Sequence, residues 1–352
     1  MTRQNDDPES SQANAKKVRR VVAIALVALA VGAGVAFRWL AAPSETPLKE
    51  RVLSVVQESS GRPGEPVLPL HRAEGLDAAK VALGRQLFHD PRLSSDNSMS
   101  CATCHPLDRG GADGLRVSSG VGGVQGNINA PSVLTAAHNF RQFWDGRAAT
   151  LEEQAGGPIT NPIEMASTWD QALAKLRDDG DLSRDFAQAY PAGLTPDTIR
   201  HALAEFERSL PAPSRFDRWL IGDEGALEEN ELAGYRLFKK HGCSGCHQGR
   251  NIGGNLFQRF GVMAAYFAGN TPSKADLGRF NVTGRDEDRH VFKVPSLRNV
   301  ARTAPYFHDA SAASLEEAVR VMGRHQLGME LPDNDVTQIV AFLRTLDGER
   351  TP

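Results

Sequence analysis

All four cysteines of this 352-residue chain fall in two pentapeptides, Cys101-Ala-Thr-Cys104-His105 and Cys243-Ser-Gly-Cys246-His247. No other feature narrows the fold as far. Two thiols three residues apart on one helical turn reach the two vinyl groups of a single porphyrin, and the histidine that follows turns its imidazole to the iron. A bare C-x-x-C also suits a thioredoxin-like redox pair or half of a zinc site. Histidine makes up only 10 of the 352 residues, so its recurrence after both pairs favours two covalently bound haem c groups. Four cysteines are too few for a disulfide scaffold of this length.

The chain repeats itself around these motifs. Gly84-Arg-Gln-Leu87-Phe88 precedes the first and Gly234-Tyr-Arg-Leu237-Phe238 the second. Asp145-Gly-Arg-Ala-Ala-Thr-Leu151-Glu-Glu follows the first and Asp309-Ala-Ser-Ala-Ala-Ser-Leu315-Glu-Glu the second. Each half closes on an amphipathic segment, residues 198–210 and 336–346, with a Pro-Asp pair in front. Their apolar residues recur at helical spacing. Strand-like alternation is scarce, and Gly-rich polar connections such as residues 108–130 suit loops that wrap a haem without a sheet. The pattern predicts an all-α fold of two cytochrome-c-like haem domains related by internal duplication, over residues 71–212 and 213–352. Pro211-Ala-Pro213 marks the boundary.

Residues 21–37 form an uncharged apolar run behind Lys16, Lys17, Arg19 and Arg20. This length suits a short membrane helix or a long signal-peptide core, and residues 1–40 are read as one or the other. The basic cluster should stay in the cytoplasm, which places the remainder in the periplasm of a bacterial cell, tethered to the inner membrane if the segment is retained. Residues 41–70 carry five prolines and read as a spacer with one short helix over 48–57. Hydrophobic residues at 40%, charged residues at 24% and a net charge of −3 exclude global disorder and give no basic field for nucleic acid.

A haem iron with two strong protein ligands transfers electrons, whereas an open side admits a small molecule. In the second half Met322 sits on a helix opened by Ser314-Leu-Glu-Glu317. Read alone it is a ligand or core packing, with Met329 and His325 as rivals. In the first half no Met or His stands at the matching place. Glu164 follows instead, in the Pro-bounded stretch Asn161-Pro-Ile-Glu164-Met165. A carboxylate there can move a proton between the two oxygens of a peroxide, or can be a solvated helix cap. Met165 is a rival ligand.

The exported part resembles the bacterial di-haem cytochrome c peroxidase family, which includes the MauG-like proteins. The resemblance is carried by Leu83-Gly-Arg-Gln-Leu-Phe88, Asp90-Pro-Arg-Leu-Ser94, Asn129-Ala-Pro131, Gln142-Phe-Trp-Asp-Gly-Arg147, Glu153-Gln-Ala155, Val294-Pro295, Leu297-Arg-Asn299 and Pro305-Tyr-Phe-His-Asp309. It implies that His105 and His247 are the proximal ligands and Met322 the distal ligand of the electron-accepting haem. It implies that Glu164 with Gln154 is the distal catalytic pair and that Trp144 links the haems. It further implies a calcium site from Asn129 and the carbonyls of Thr303 and Pro305. The implied reaction is reduction of hydrogen peroxide to water with electrons from a small cytochrome c or cupredoxin. A MauG-like oxidation of a partner protein is the alternative, and a non-catalytic electron carrier or haem sensor is a third reading. Monomer and homodimer both stay open.

One departure from the family concerns the loop after the first motif. Many members carry a histidine there, where this chain has Ser119-Gly120-Val121-Gly122-Gly123. Valine cannot ligate iron, and His138 is the nearest later histidine.

Overall fold

The structure, a computed structural model, describes residues 61–268 and 271–349. Helices dominate it. In chain order they are α1 (Ala78–Phe88), α2 (Cys101–Cys104), α3 (Leu151–Thr160), α4 (Trp169–Arg177), α5 (Gly180–Ala189), α6 (Pro196–Ser209), α7 (Arg215–Leu220), α8 (Glu229–Lys240), α9 (Phe280–Thr283), α10 (Leu315–Met322) and α11 (Asp333–Arg344). Short polar side chains set where several begin. The Asp77 carboxylate accepts the N–H groups of Ala79 and Lys80 at the start of α1, Thr150 accepts from Glu153 in α3, and Ser314 accepts from Glu317 in α10. Each satisfies a backbone donor that the first turn leaves unpaired. Pro196 opens α6 behind Thr195, a position where the missing N–H is no loss.

Two apolar cores form. The first gathers Leu87 and Phe88 of α1, Ile159 of α3, Leu176 of α4, Phe186 of α5 and Leu203 and Phe206 of α6. The second gathers Phe216 of α7, Tyr235 and Phe238 of α8, Val319 of α10 and Ile339 and Phe342 of α11. One helix crossing recurs in both. At Gly84, where α1 meets α6, a Cβ would lie 1.9 Å from Ala202 O and 2.8 Å from Phe206 Cβ. At Gly234, where α8 meets α11, it would lie 1.9 Å from Gln338 O and 3.0 Å from Phe342 Cβ. Only glycine lets the two backbones come this close. The repeated Gly-x-x-Leu-Phe pattern is therefore a helix-crossing motif.

Two expectations need adjustment. A small sheet exists after all: β1 (Phe257–Arg259) and β2 (Val291–Lys293) pair antiparallel, with Phe257 opposite Lys293. Three-residue strands are too short to leave an alternation signal. Residues 61–70, read as spacer, are packed. Val67 is fully buried in the second core, and the Leu70 N–H donates to Asp217 Oδ1 at 2.7 Å. Asp217 is itself paired with Arg298 at 2.5 Å, both side chains almost wholly buried, and Arg298 also donates to the carbonyls of Arg250 and Leu68. A guanidinium with these partners pins the incoming segment to the second core.

The hydrophobic run at 21–37 and the short helix expected at 48–57 lie outside the described residues. Among the described residues no helix is long and apolar enough to cross a membrane.

Candidate active site

Both Cys-x-x-Cys-His motifs open onto one continuous cavity of about 600 Å³. Cys101, Cys104, Cys243 and Cys246 all line it, and no disulfide joins them. Burial pushes the Cys101 thiol up to about 12 and that of Cys243 to about 11. A thioredoxin-like pair needs the opposite shift. Among the described residues no group of three or more His, Cys, Asp or Glu side chains could hold a metal, which removes the zinc alternative there.

The two histidines are prepared alike. Nδ1 of His105 lies 3.1 Å from Gly111 O, and Nδ1 of His247 lies 3.4 Å from Ile252 O. A carbonyl only accepts, so each ring carries its proton on Nδ1 and keeps the Nε2 lone pair free for a metal. This is the usual outer-shell arrangement of a ligating histidine. Burial holds both imidazoles below their ordinary range, His247 at about 4. Paired thiols, an imidazole in the ligating tautomer and a cavity with apolar residues such as Leu203, Val319 and Leu343 fit a haem c at each motif.

The corresponding loops of the two halves share their geometry. Gln142 bridges Ala148 and Tyr306 bridges Ala312 across the same span. Phe143 at φ 67° and Phe307 at φ 73° both sit in the left-handed region. Trp144 and His308 therefore hold equivalent places, and their rings meet edge to face at 6.3 Å. The Asn129 N–H donates to His308 O at 2.9 Å, and the Lys293 N–H donates to Trp144 O at 2.8 Å. The Trp144 indole N–H donates to Asn129 O at 2.9 Å. Trp144, Asn129, Thr303 and Pro305 all line the cavity.

The same correspondence exposes an asymmetry. Thr150 and Ser314 cap α3 and α10 in register, so the counterpart of Met322 is Pro158. Both line the cavity. Proline offers no ligand, and the chain then turns at Asn161 to bring Glu164 to the wall. The Asn161 amide donates to Glu164 Oε1 at 2.6 Å, leaving Oε2 free. Burial raises the Glu164 carboxyl above its usual range. Gln154 and Met165 line the same cavity. The Val121 loop is docked on this turn: its N–H donates to Glu164 O at 2.8 Å, and a Cβ on Gly120 would lie 2.2 Å from Ile163 O. His138, His325 and Met329 are not among the lining residues. Met329 is exposed, and His325 Nδ1 is bonded to Ala264 O at 3.0 Å.

Glu207 and Lys293 line the cavity without having been singled out in the sequence, and His308 was quoted only as part of a matched stretch. Lys293 and His308 each stand beside a matched stretch or within one, yet neither residue type announces burial.

The di-haem cytochrome c peroxidase family matches residues 78–225. Cytochrome c peroxidase Ccp of Escherichia coli strain K12 is 51% identical over 290 residues, 82% of this chain and 62% of that protein, so the chain spans less than two thirds of that relative's length. Cytochrome c551 peroxidase of Nitrosomonas europaea is 46% identical over 288 residues, covering 81% of this chain and 85% of the relative. Among solved structures, a MauG-like protein associated with microbial copper homeostasis superposes with a TM-score of 0.71 at 30% identity, covering 81% of this chain and 93% of that one.

Proposed function

This chain belongs to the di-haem cytochrome c peroxidase family of oxidoreductases, and on that premise we propose that it reduces hydrogen peroxide to water. One haem c is held by Cys101, Cys104 and His105, and the other by Cys243, Cys246 and His247. The observation that carries the division of labour is the asymmetry between Met322 and Pro158. Met322 would complete a His/Met pair suited to electron transfer at the second site, whereas Pro158, at the matching place of the first, has no side chain that could hold iron. The bound haem supplies the iron chemistry at which peroxide accepts electrons and its O–O bond breaks.

The protein's part at the first site is proton handling. Glu164 Oε2 takes a proton from one peroxide oxygen and returns it to the other. The Asn161 amide holds Oε1 and so fixes the carboxyl in place. Burial raises its pKa, which makes its carboxylate a stronger base than an exposed one. Gln154 offers an amide N–H to orient the substrate. Trp144 stands where the two halves meet, between the electron-accepting and peroxide-reducing sites.

The remaining parts of the reading are a small cytochrome c or cupredoxin as donor, a calcium ion on Asn129 with the carbonyls of Thr303 and Pro305, and a location in the periplasm. The Lys/Arg cluster before residues 21–37 supports export, with or without a retained inner-membrane anchor. The paired helix crossings and loops support an internal duplication of one haem domain.

Steady-state peroxide turnover with a reduced small cytochrome tests the proposal. Glu164→Gln should keep both haems and lose roughly 10²–10⁴-fold in rate, the usual contribution of a general acid–base group. Unchanged turnover removes Glu164 from the mechanism. Oxidised partner proteins appearing after peroxide addition, with no peroxidase turnover, would favour the MauG-like alternative.

A further inference from the structure

We propose that the Lys293 ammonium binds a carboxylate side chain of one of the two haems. The inference rests on the two-haem reading above and concerns a residue with no assigned role.

Lys293 ends β2 and lines the cavity, and only 6% of it is exposed. Its backbone is engaged, since the N–H donates to Trp144 O at 2.8 Å. Its ammonium makes no hydrogen bond or ion pair with any described residue. Arg298, buried to a similar degree, is answered by Asp217 and two carbonyls. The carboxylates lining the cavity are Glu164 and Glu207. Neither forms an ion pair with Lys293, and Glu164 is bonded to Asn161. Taking an ammonium out of water without a counter-charge is strongly unfavourable. A lysine kept in such a place is answered by an anion that enters the cavity, and each haem brings carboxylates with it.

Position gives the pairing a consequence. Lys293 is two residues from Pro295, which lines the same cavity as His247. Through its own N–H it also holds the backbone of Trp144. A carboxylate bound there is fixed next to the tryptophan that separates the two sites. The same positive charge favours the reduced form of that haem. Burial alone pulls the Lys293 ammonium down to about 8.

The test uses the full holoprotein, with denatured mass confirming the haem load. Lys293→Met and Lys293→Arg are compared with wild type by resonance Raman of the haem carboxylate modes and by redox titration. Lys293→Met should shift the carboxylate band of one haem. The equilibrium ratio of its reduced to oxidised form should fall about tenfold, a shift of 59 mV for one electron. Lys293→Arg, which keeps the charge and the donors, should restore both readings. The haem affected identifies the source: the His/Met-ligated one, or the one with an open side. If Lys293→Met does not take up both haems, Lys293→Gln is read in the same way, with exchange of wild type into D₂O as the second reading, since an N–H donor on the carboxylate shifts its band. Two haems with unmoved carboxylate bands overturn the pairing alone. Fewer than two haems on the wild-type chain overturn it together with the two-haem reading.

Discussion

Glu207 should make this protein less stable as the pH rises. It lies on α6, is 6% exposed, and faces the cavity close enough to Cys101 to raise that thiol. Burial carries its carboxyl from the ordinary 4.5 to about 8. Its folded value lies above the unfolded one, so the sign is fixed. The fold keeps its full stability below about 4.5 and loses it progressively as the carboxyl is forced to ionise, up to about 8. At 1.36 kcal/mol for each tenfold change in acidity, the loss across that window is on the order of 5 kcal/mol. Chemical denaturation of the holoprotein between about pH 5 and pH 9 reads it, with Glu207→Gln as the reference. Glutamine has nearly the same shape and stays neutral, so all other titrations cancel in the difference. Near pH 5 the two proteins should match closely; near pH 9 the variant should be more stable by several kcal/mol. A difference that stays constant across this range would refute the reasoning.

Met322→His should lower the potential of the second haem and slow electron uptake, because the axial ligand is a main determinant of potential; potentials that stay put in redox titration would exclude Met322 as the ligand. The docked loop at Val121 offers no side-chain ligand, so paramagnetic resonance of the fully oxidised protein should show one high-spin and one low-spin haem, and peroxide should react without prior reduction. Two low-spin haems with a lag abolished by pre-reduction would contradict this. Gly84→Ala and Gly234→Ala should each destabilise at or above the usual ~1–3 kcal/mol of an overpacked core, because the clashing atom is backbone; a thermal midpoint equal to wild type would refute the close crossing. Arg298→Met should cost roughly 3–5 kcal/mol by leaving Asp217 buried and unpaired, with much of the loss recovered on adding Asp217→Asn.

The sequence carried more of the site than of its walls. The attachment motifs are legible because covalent chemistry demands a fixed spacing. The start of α10 at Ser314 is legible because a short polar side chain before an amphipathic run has one common use. The helix crossings could be seen as a repeat, but the reason for their glycines required the backbone of Ala202 and Gln338. What stayed hidden follows one rule: residues whose environment contradicts their type leave no trace. Lys293 and Glu207 are buried ionisable groups, and nothing local distinguishes them from surface ones. Val67 joins the second core from a Pro-rich stretch, so its role depends on a partner far along the chain. The three-residue strands owe their existence to pairing rather than to pattern.

The paired hydrogen bonds around Trp144 and His308 also bear on symmetry. Asn129 reaches across to the His308 carbonyl, and Lys293 reaches across to the Trp144 carbonyl. Under the duplication inferred above, Asn129 corresponds to Lys293 and Trp144 to His308, so these are one contact made twice in opposite directions. A contact in which i meets j while j meets i is the signature of a twofold self-association. The two halves thus face each other across Trp144 and His308 as a pseudo-twofold pair within one chain. That symmetry is broken at two places on the cavity wall, where Pro158 stands at the position of Met322 and a tryptophan faces a histidine.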